Sequence, residues 1–283
     1  MKNEVSALNL LRSIYPSLSK KEKEIAKYII ENTSKVIYLS ITELSDICKA
    51  GDATIIRLAQ KLGYRGYQEL KLALARSLVS PEIELLEDVK PEDDLITIIQ
   101  KIRSRNVKAI NDTTEIVDLE NLSKAIDLIV NARKVEFYGV GASGITALDA
   151  KYKFLRIGIL CDAFVDPHLQ AMSAACLTEK DVAVGISHSG ATKDTVDSLR
   201  VAKNSGAKTI CITNFSRSPI TEVADVVLLT SSPEAPLTSG AIRSKIAQLH
   251  VLDLLFTGVA MKIAKKAGEY TEKTAKAVLE KLY

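Results

Sequence analysis

The sequence predicts an all-α head joined to an α/β unit built on a doubly wound, five-stranded parallel sheet. Three observations carry this. Up to about Leu78 every apolar periodicity is helical, while from Val135 onward short β-branched runs alternate with helix-like stretches. Between them PEIELLEDVKPEDD, Pro81 to Asp94, is acidic and broken by two prolines, as a solvated linker is. A chain of 283 residues exceeds the usual extent of one core, and an apolar content of 47% is enough to bury two.

In the head, Ser19 precedes KKEKEIAKYIIEN with Glu22 three residues on, the pattern of a capping box. ITELSDICK places Ile41, Leu44, Ile47 and Cys48 on one helical face. After a break at Ala50-Gly51-Asp52, the inward stripe of the next helix is Ile55, Leu58, Ala59 and Leu62, and Gly63 ends it. YQELKLALARSLV is a further amphipathic helix. Two short helices around a glycine-containing break form a helix-turn-helix, whose second helix enters the major groove of DNA by its N-terminal end. Thr54 and Arg57 then lie near base edges, with Lys61, Tyr64 and Arg65 suited to phosphates. Asp52 is read as the cap of that helix, which keeps its carboxylate away from phosphates. Charge agrees: up to Ser80 there are thirteen Lys and Arg against eight Asp and Glu, and 25 against 27 in the rest. A basic head on a near-neutral body suits a polyanion. Periodicity alone is equally satisfied by a helical bundle with solvated lysines.

Residues 1–79 are thus assigned to the DNA-binding head, 80–112 to a linker and connecting helix, and 113–283 to the sheet unit with its C-terminal helix. VEFYGV, ILCDAFVD, DVAVGIS, KTICITN and ADVVLLT supply the five strands, mostly separated by helices, so βαβ units and a parallel sheet follow. GAIRSKIAQLHVLDLLFTGVAMKIAKKAG reads as one long apolar helix, and Ile246–Ile263 is either a subunit contact or buried in its own unit. Asp253 and Lys262 within it argue against a membrane span, and nothing at the N-terminus resembles a secretion signal, so a cytoplasmic protein is expected. Cys48, Cys161, Cys176 and Cys211 form no C-x-x-C pair; three have apolar neighbours and read as buried, reduced thiols.

The first strand ends in GVGASG, where Gly139, Gly141 and Gly144 satisfy the G-x-G-x-x-G pattern of dinucleotide sites. Asp162, near the end of the next strand, is a candidate ribose-binding acid. The third strand ends in GISHSGAT before a helix beginning near Thr192. In flavodoxin-like strand order the first and third strands are neighbours, and their loops part at the switch-point crevice where ligands bind. Ser143 then faces Ser187, Ser189 and Thr192, and two helix N-termini aim free amides at the same spot. Gly141, Gly144 and Gly190 let the backbone approach closely. Such a cradle suits a phosphate monoester on a small polar body, whereas a dinucleotide leaves the second hydroxyl loop unexplained.

At these residues the sequence resembles a known family. GVGASG with GISHSGAT looks like the paired phosphate loops of sugar-isomerase (SIS) domains, and ITNFSRSPITEVADVVL and SKIAQLHVLDLLF follow in that domain's order. DATIIRLAQKLGYRGYQELK is similar to the helix-turn-helix of the RpiR family of bacterial transcription regulators. The resemblance runs from about Leu18 to Phe256. It implies a dimeric or tetrameric repressor or activator that binds a double-stranded DNA operator and senses a sugar phosphate, without cofactor or metal. By that analogy Ser143, Ser187, Ser189 and Thr192 contact the phosphate.

The same fold also hosts enzymes that interconvert aldose and ketose phosphates, which need a base beside the carbonyl. Glu234 is the best candidate base, although a sensor can keep such a glutamate to bind hydroxyls. His168, His188 and His250 are the others: His250 reads as structural, while His188, inside the phosphate loop, points either to the sugar or outward. The basic head separates the classes, because an isomerase has no use for it.

Overall fold

The computed structural model describes residues 7–78, 89, 90, 92–232, 242–279 and 281. The chain divides into two compact units. One takes in residues up to Arg105 together with 233–242, the other 106–232 together with 243–283.

The first unit is all helical. After α1 (Ala7–Ile14) and a 3-10 turn come α2 (Lys20–Glu31), α3 (Thr33–Val36), α4 (Ile41–Ile47), α5 (Asp52–Lys61) and α6 (Tyr67–Leu78). α2 and α4 each begin with the full reciprocal capping box, Ser19 with Glu22 and Ser40 with Glu43. Ile55, Leu58, Ala59 and Leu62 are buried in one core with Leu11, Ile25, Ile29 and Leu70. α6 closes the core and bonds carbonyls at and just after the end of α3. The Tyr67 hydroxyl donates to Val36 O and Leu39 O, and the buried Lys71 ammonium donates to Leu39 O at 2.8 Å. Burial pulls the Lys71 pKa down to about 8. Two readings are corrected here. Asp52 is the first helical residue, not the cap: Gly51 holds the N-cap position and offers no side chain. Ile47 does not join the inward stripe of α4 but is 47% exposed. The acidic linker lies mostly outside the described residues.

α7 (Leu95–Glu115) begins in the first unit and ends in the second. The second unit continues with α8 (Leu119–Asn131), β1 (Lys134–Tyr138), α9 (Gly141–Arg156), β2 (Cys161–Phe164), α10 (Pro167–Ala175), β3 (Asp181–Ile186), α11 (Lys193–Asn204), β4 (Lys208–Thr213), α12 (Pro219–Val223) and β5 (Val226–Leu229). All neighbours are parallel in the order β2-β1-β3-β4-β5, the flavodoxin-like order expected. The fully buried β3 shows why the sheet is covered twice. Val182, Val184 and Ile186 point to one core with residues of α8, α9 and the C-terminal helix. Ala183 points to the other with α10, α11 and α12, where small residues let α11 approach. At the start of the sheet Arg133 grips Asp181 bidentately at 2.9 and 2.7 Å, and Thr178 adds two more donors to that buried carboxylate.

The expected long terminal helix is two helices, α13 (Ile242–Lys262) and α14 (Ala264–Leu279), with axes 107° apart. Ala247, Val251, Leu252, Leu255 and Val259 are buried in α13's own unit, which accounts for the apolar character of that face. α14 turns back and lays the Tyr270 ring against Gly158, where any Cβ would stand 2.3 Å from the ring. Among the described residues no single helix is long and apolar enough to cross a membrane. Of the cysteines, Cys161 and Cys211 are buried, Cys48 is half-buried and Cys176 exposed, all free.

Candidate functional site

The crevice is positioned by strand order. β1 and β3 pair with Tyr138 opposite Gly185, so the loops that leave them start side by side at the C-terminal end of the sheet. The first loop turns at Gly139, where a Cβ would meet the Ser143 carbonyl at 2.7 Å; no larger residue allows this approach. α9 then begins at once. Its first internal bond runs from Gly144 N to Val140 O, leaving the amides of 141–143 without helical partners. The loop is held from behind by the buried Gln170, whose Nε2 donates to Gly139 O at 3.0 Å and Phe164 O at 2.9 Å. Ser143 Oγ accepts a bond from Gln248 Nε2 of α13 at 3.0 Å.

The second loop is pinned on β4. Ser187 N donates to Ile212 O, while Asn214 N and Thr213 Oγ1 both donate to His188 O. Gly190, at φ +62°, turns the chain so tightly that a Cβ would stand 2.1 Å from Ser218 Oγ. Its carbonyl accepts from Ile220 N at 2.8 Å. The Ser189 hydroxyl accepts from Ala191 N, and Thr192 is the N-cap of α11, whose first internal bond is Val196 N to Thr192 O. Two helix starts with unsatisfied amides therefore sit at adjacent strand ends, beside the hydroxyls of Ser143, Ser187, Ser189 and Thr192. Neither loop, 139–144 or 187–192, contains a lysine or arginine. What the two loops themselves offer an anion is helix dipoles and hydroxyl donors.

Other candidates fare differently. Asp162 is at the start of β2, not its end, and its carboxylate is ion-paired with Lys151 at 2.7 Å, so it is not placed as a ribose acid beside the loops. The His188 ring lies edge-on to Phe215, centroids 6.0 Å apart. His250 Nε2 is 2.8 Å from Thr114 Oγ1, joining α13 to α7, and the His168 side chain is 93% exposed. Glu234 lies outside the described residues. Sequence reasoning missed Gln170, Asn214, Ser218 and Gln248, polar supports that sit far from the loops in sequence and carry no motif of their own.

On the head, α4 and α5 flank the turn at Cys48–Gly51. Arg57 is exposed, and its guanidinium donates to Thr54 Oγ1 at 3.3 Å, which aligns the two side chains on the outer face of α5. Lys61 points the same way but is engaged, its ammonium 2.6 Å from Glu22 Oε1. That ion pair and the Ser19 amide hold the Glu22 carboxyl down at about 2. Tyr64 packs partly on the core, and the amide of the exposed Arg65 is tied to Glu69.

A helix-turn-helix head joined to a doubly wound sheet with an anion-ready crevice defines a ligand-responsive DNA-binding protein. Residues 5–81 match the helix-turn-helix domain of the rpiR family, and residues 128–258 match the SIS domain. An uncharacterised HTH-type transcriptional regulator of Caldanaerobacter subterraneus subsp. tengcongensis is 44% identical over 96% of both chains. The HTH-type transcriptional regulator RpiR of Escherichia coli K12 is 30% identical over 98% of this chain and 93% of its own. The chain belongs to the RpiR family of helix-turn-helix transcriptional regulators with a SIS domain. Among solved structures, the Vibrio vulnificus NanR protein complexed with ManNAc-6P is similar over 98% of this chain and 99% of its own, with a TM-score of 0.86 and 29% identity.

Proposed function

We propose that this regulator binds operator DNA through α4 and α5 and a sugar phosphate in the β1–β3 crevice, without turning the sugar over. One observation carries the ligand reading: hydroxyls and open helix N-termini gather at adjacent strand ends, on two loops that themselves hold no lysine or arginine. The ManNAc-6P held by NanR supports the ligand class. The phosphate falls to Ser143, Ser187, Ser189 and Thr192 with the backbone at Gly141, Gly144 and Gly190, and Glu234 to a sugar hydroxyl. Thr54 and Arg57 read bases, while Lys61, Tyr64 and Arg65 approach phosphates.

The protein acts as a homodimer or homotetramer in the cytoplasm, because operators read by such heads are two-fold repeats. Ile145, Leu148, Tyr152 and Leu155 form an exposed apolar stripe along α9, spaced three and four residues apart as in a helix–helix seam. A second copy covers it. Sedimentation of Leu148→Glu, expected to be smaller than wild type, tests this surface.

The direct test is a thermal-shift panel of sugar phosphates, ManNAc-6P included, each beside its unphosphorylated sugar. A ligand at 100 times its Kd adds about 2.7 kcal/mol, or several degrees in a unit of this size. A phosphorylated hit without its parent sugar supports the cradle. No hit overturns it, and isomerisation of the hit in a coupled assay would overturn the non-catalytic reading.

A further inference from the structure

The crevice loops are motif-bearing, but the residue that sets how Ser143 presents itself comes from α13. Gln248 is 1% exposed and makes two bonds: its Oε1 accepts from the buried Thr146 hydroxyl at 3.0 Å, and its Nε2 donates to Ser143 Oγ at 3.0 Å. Both Ser143 and Thr146 lie on the first turns of α9, whose opening residues form the crevice.

The direction of these bonds decides the chemistry. A serine hydroxyl carries one proton and two lone pairs, so it can face a partner as donor or as acceptor. A phosphate ester at neutral pH offers only acceptors, and an acceptor aimed at it repels it. With Oε1 turned to the Thr146 hydroxyl, the carboxamide presents its N–H to Ser143. That N–H occupies a lone pair on Oγ and leaves the Ser143 proton unspent. The row runs Thr146, Gln248, Ser143, each donating to the next.

We propose that Gln248 is a positioning residue that makes Ser143 an obligate hydrogen-bond donor to the ligand's phosphate. This rests on the reading of the crevice as a phosphate site. Gln248 touches no ligand. Its burial against α9 keeps the amide from turning, so the bias costs no ordering when ligand arrives.

The test is a double-mutant cycle in the full chain, with ManNAc-6P and inorganic phosphate as probes and binding read by calorimetry. Gln248→Met keeps length and apolar packing but removes both bonds. Thr146→Val is isosteric and removes only the proton that orients the amide. Gln248→Met is expected to weaken both probes about three- to tenfold, and Thr146→Val to weaken them in the same direction. Neither is expected to cost anything further in a Ser143→Ala background. A merely structural tie between α9 and α13 gives the same loss in both backgrounds, and that additive result overturns the proposal. So does unchanged affinity in Thr146→Val, which keeps the test decisive if Gln248→Met fails to fold. If wild-type protein and the whole sugar-phosphate panel show no binding, the phosphate reading itself falls; if wild type binds and Ser143→Ala weakens it while the cycle is additive, only the role of Gln248 falls.

Discussion

Ser187 and Thr192 close the second crevice loop on itself, their hydroxyl oxygens 3.0 Å apart although five residues separate them. One of the two protons is spent inside the loop and the other is left for a ligand, so the pair acts as a single oriented donor. Ser189, whose oxygen already accepts from Ala191 N, likewise keeps its proton.

Ser189→Ala combined with Thr192→Val therefore removes the Ser189 donor and the partner that orients Ser187, without opening the loop backbone. Hydrogen bonds to a charged group contribute about 1.5–3 kcal/mol each. The thermal shift with sugar phosphate is expected to vanish, while operator binding without ligand, measured by mobility shift, stays intact. Loss of both together would mean that the variant is misfolded.

Gly190→Ala strikes the same loop through its backbone. The residue sits at φ +62°, which costs a side-chain-bearing residue about 1–2 kcal/mol, and its Cβ would collide with Ser218 and Thr213. We expect a fall of several degrees in the melting temperature, seen by calorimetry, together with weakened ligand binding. An unchanged melting temperature would mean that the loop relaxes freely.

Arg57→Ala tests base reading on α5. If Arg57 contacts a base edge, discrimination between operator and altered operator narrows by about 1–3 kcal/mol. Equal weakening on all sequences would reassign it to phosphate.

Glu22→Gln keeps the capping geometry but releases the Lys61 ammonium. DNA affinity is expected to rise and to depend more steeply on salt, by up to about one ion. The pH response separates the two roles of the pair. The folded carboxyl titrates at about 2 against an ordinary value of 4.5. Its stabilisation is thus present above pH 4.5 and lost as pH falls from there towards 2. Acid unfolding of the glutamine variant lacks that increment, which a pH series of denaturant midpoints measures.

The architecture was legible because it rests on local periodicity. The alternation of strands and helices gave the five-stranded parallel sheet, the switch point followed from strand order, and the stripe Ile55, Leu58, Ala59 and Leu62 is buried as expected. The errors share a cause: they turn on contacts distant in sequence or on one-residue boundaries. The break between α13 and α14 has no proline or glycine to announce it. Ile47 falls within the helical stripe, but burial depends on which neighbours reach it. Asp52 carries good capping chemistry, yet the helix starts one residue earlier than a cap at that position requires. In the site, loop hydroxyls and glycines form motifs, whereas Gln170 and Gln248 act across 31 and 105 positions of chain and look like any other amide.

The grip of Arg133 on Asp181 also has a mechanical side. Four donors converge on that one carboxylate where β1 and β3 begin, while at their far ends the same strands pass into glycine turns. The central pair is thus riveted by an ion pair at one rim and tied through its loops by single hydrogen bonds at the other. A molecule held between the loops is expected to act on that far rim only, drawing the strand ends together as the jaws of a clothes-peg turn about their spring. Amide hydrogens beside Val182 are accordingly expected to exchange at one rate with or without ligand, whereas those at Gly185 to Ser187 slow when the jaws close, a gradient along two strands rather than a uniform stiffening of the sheet.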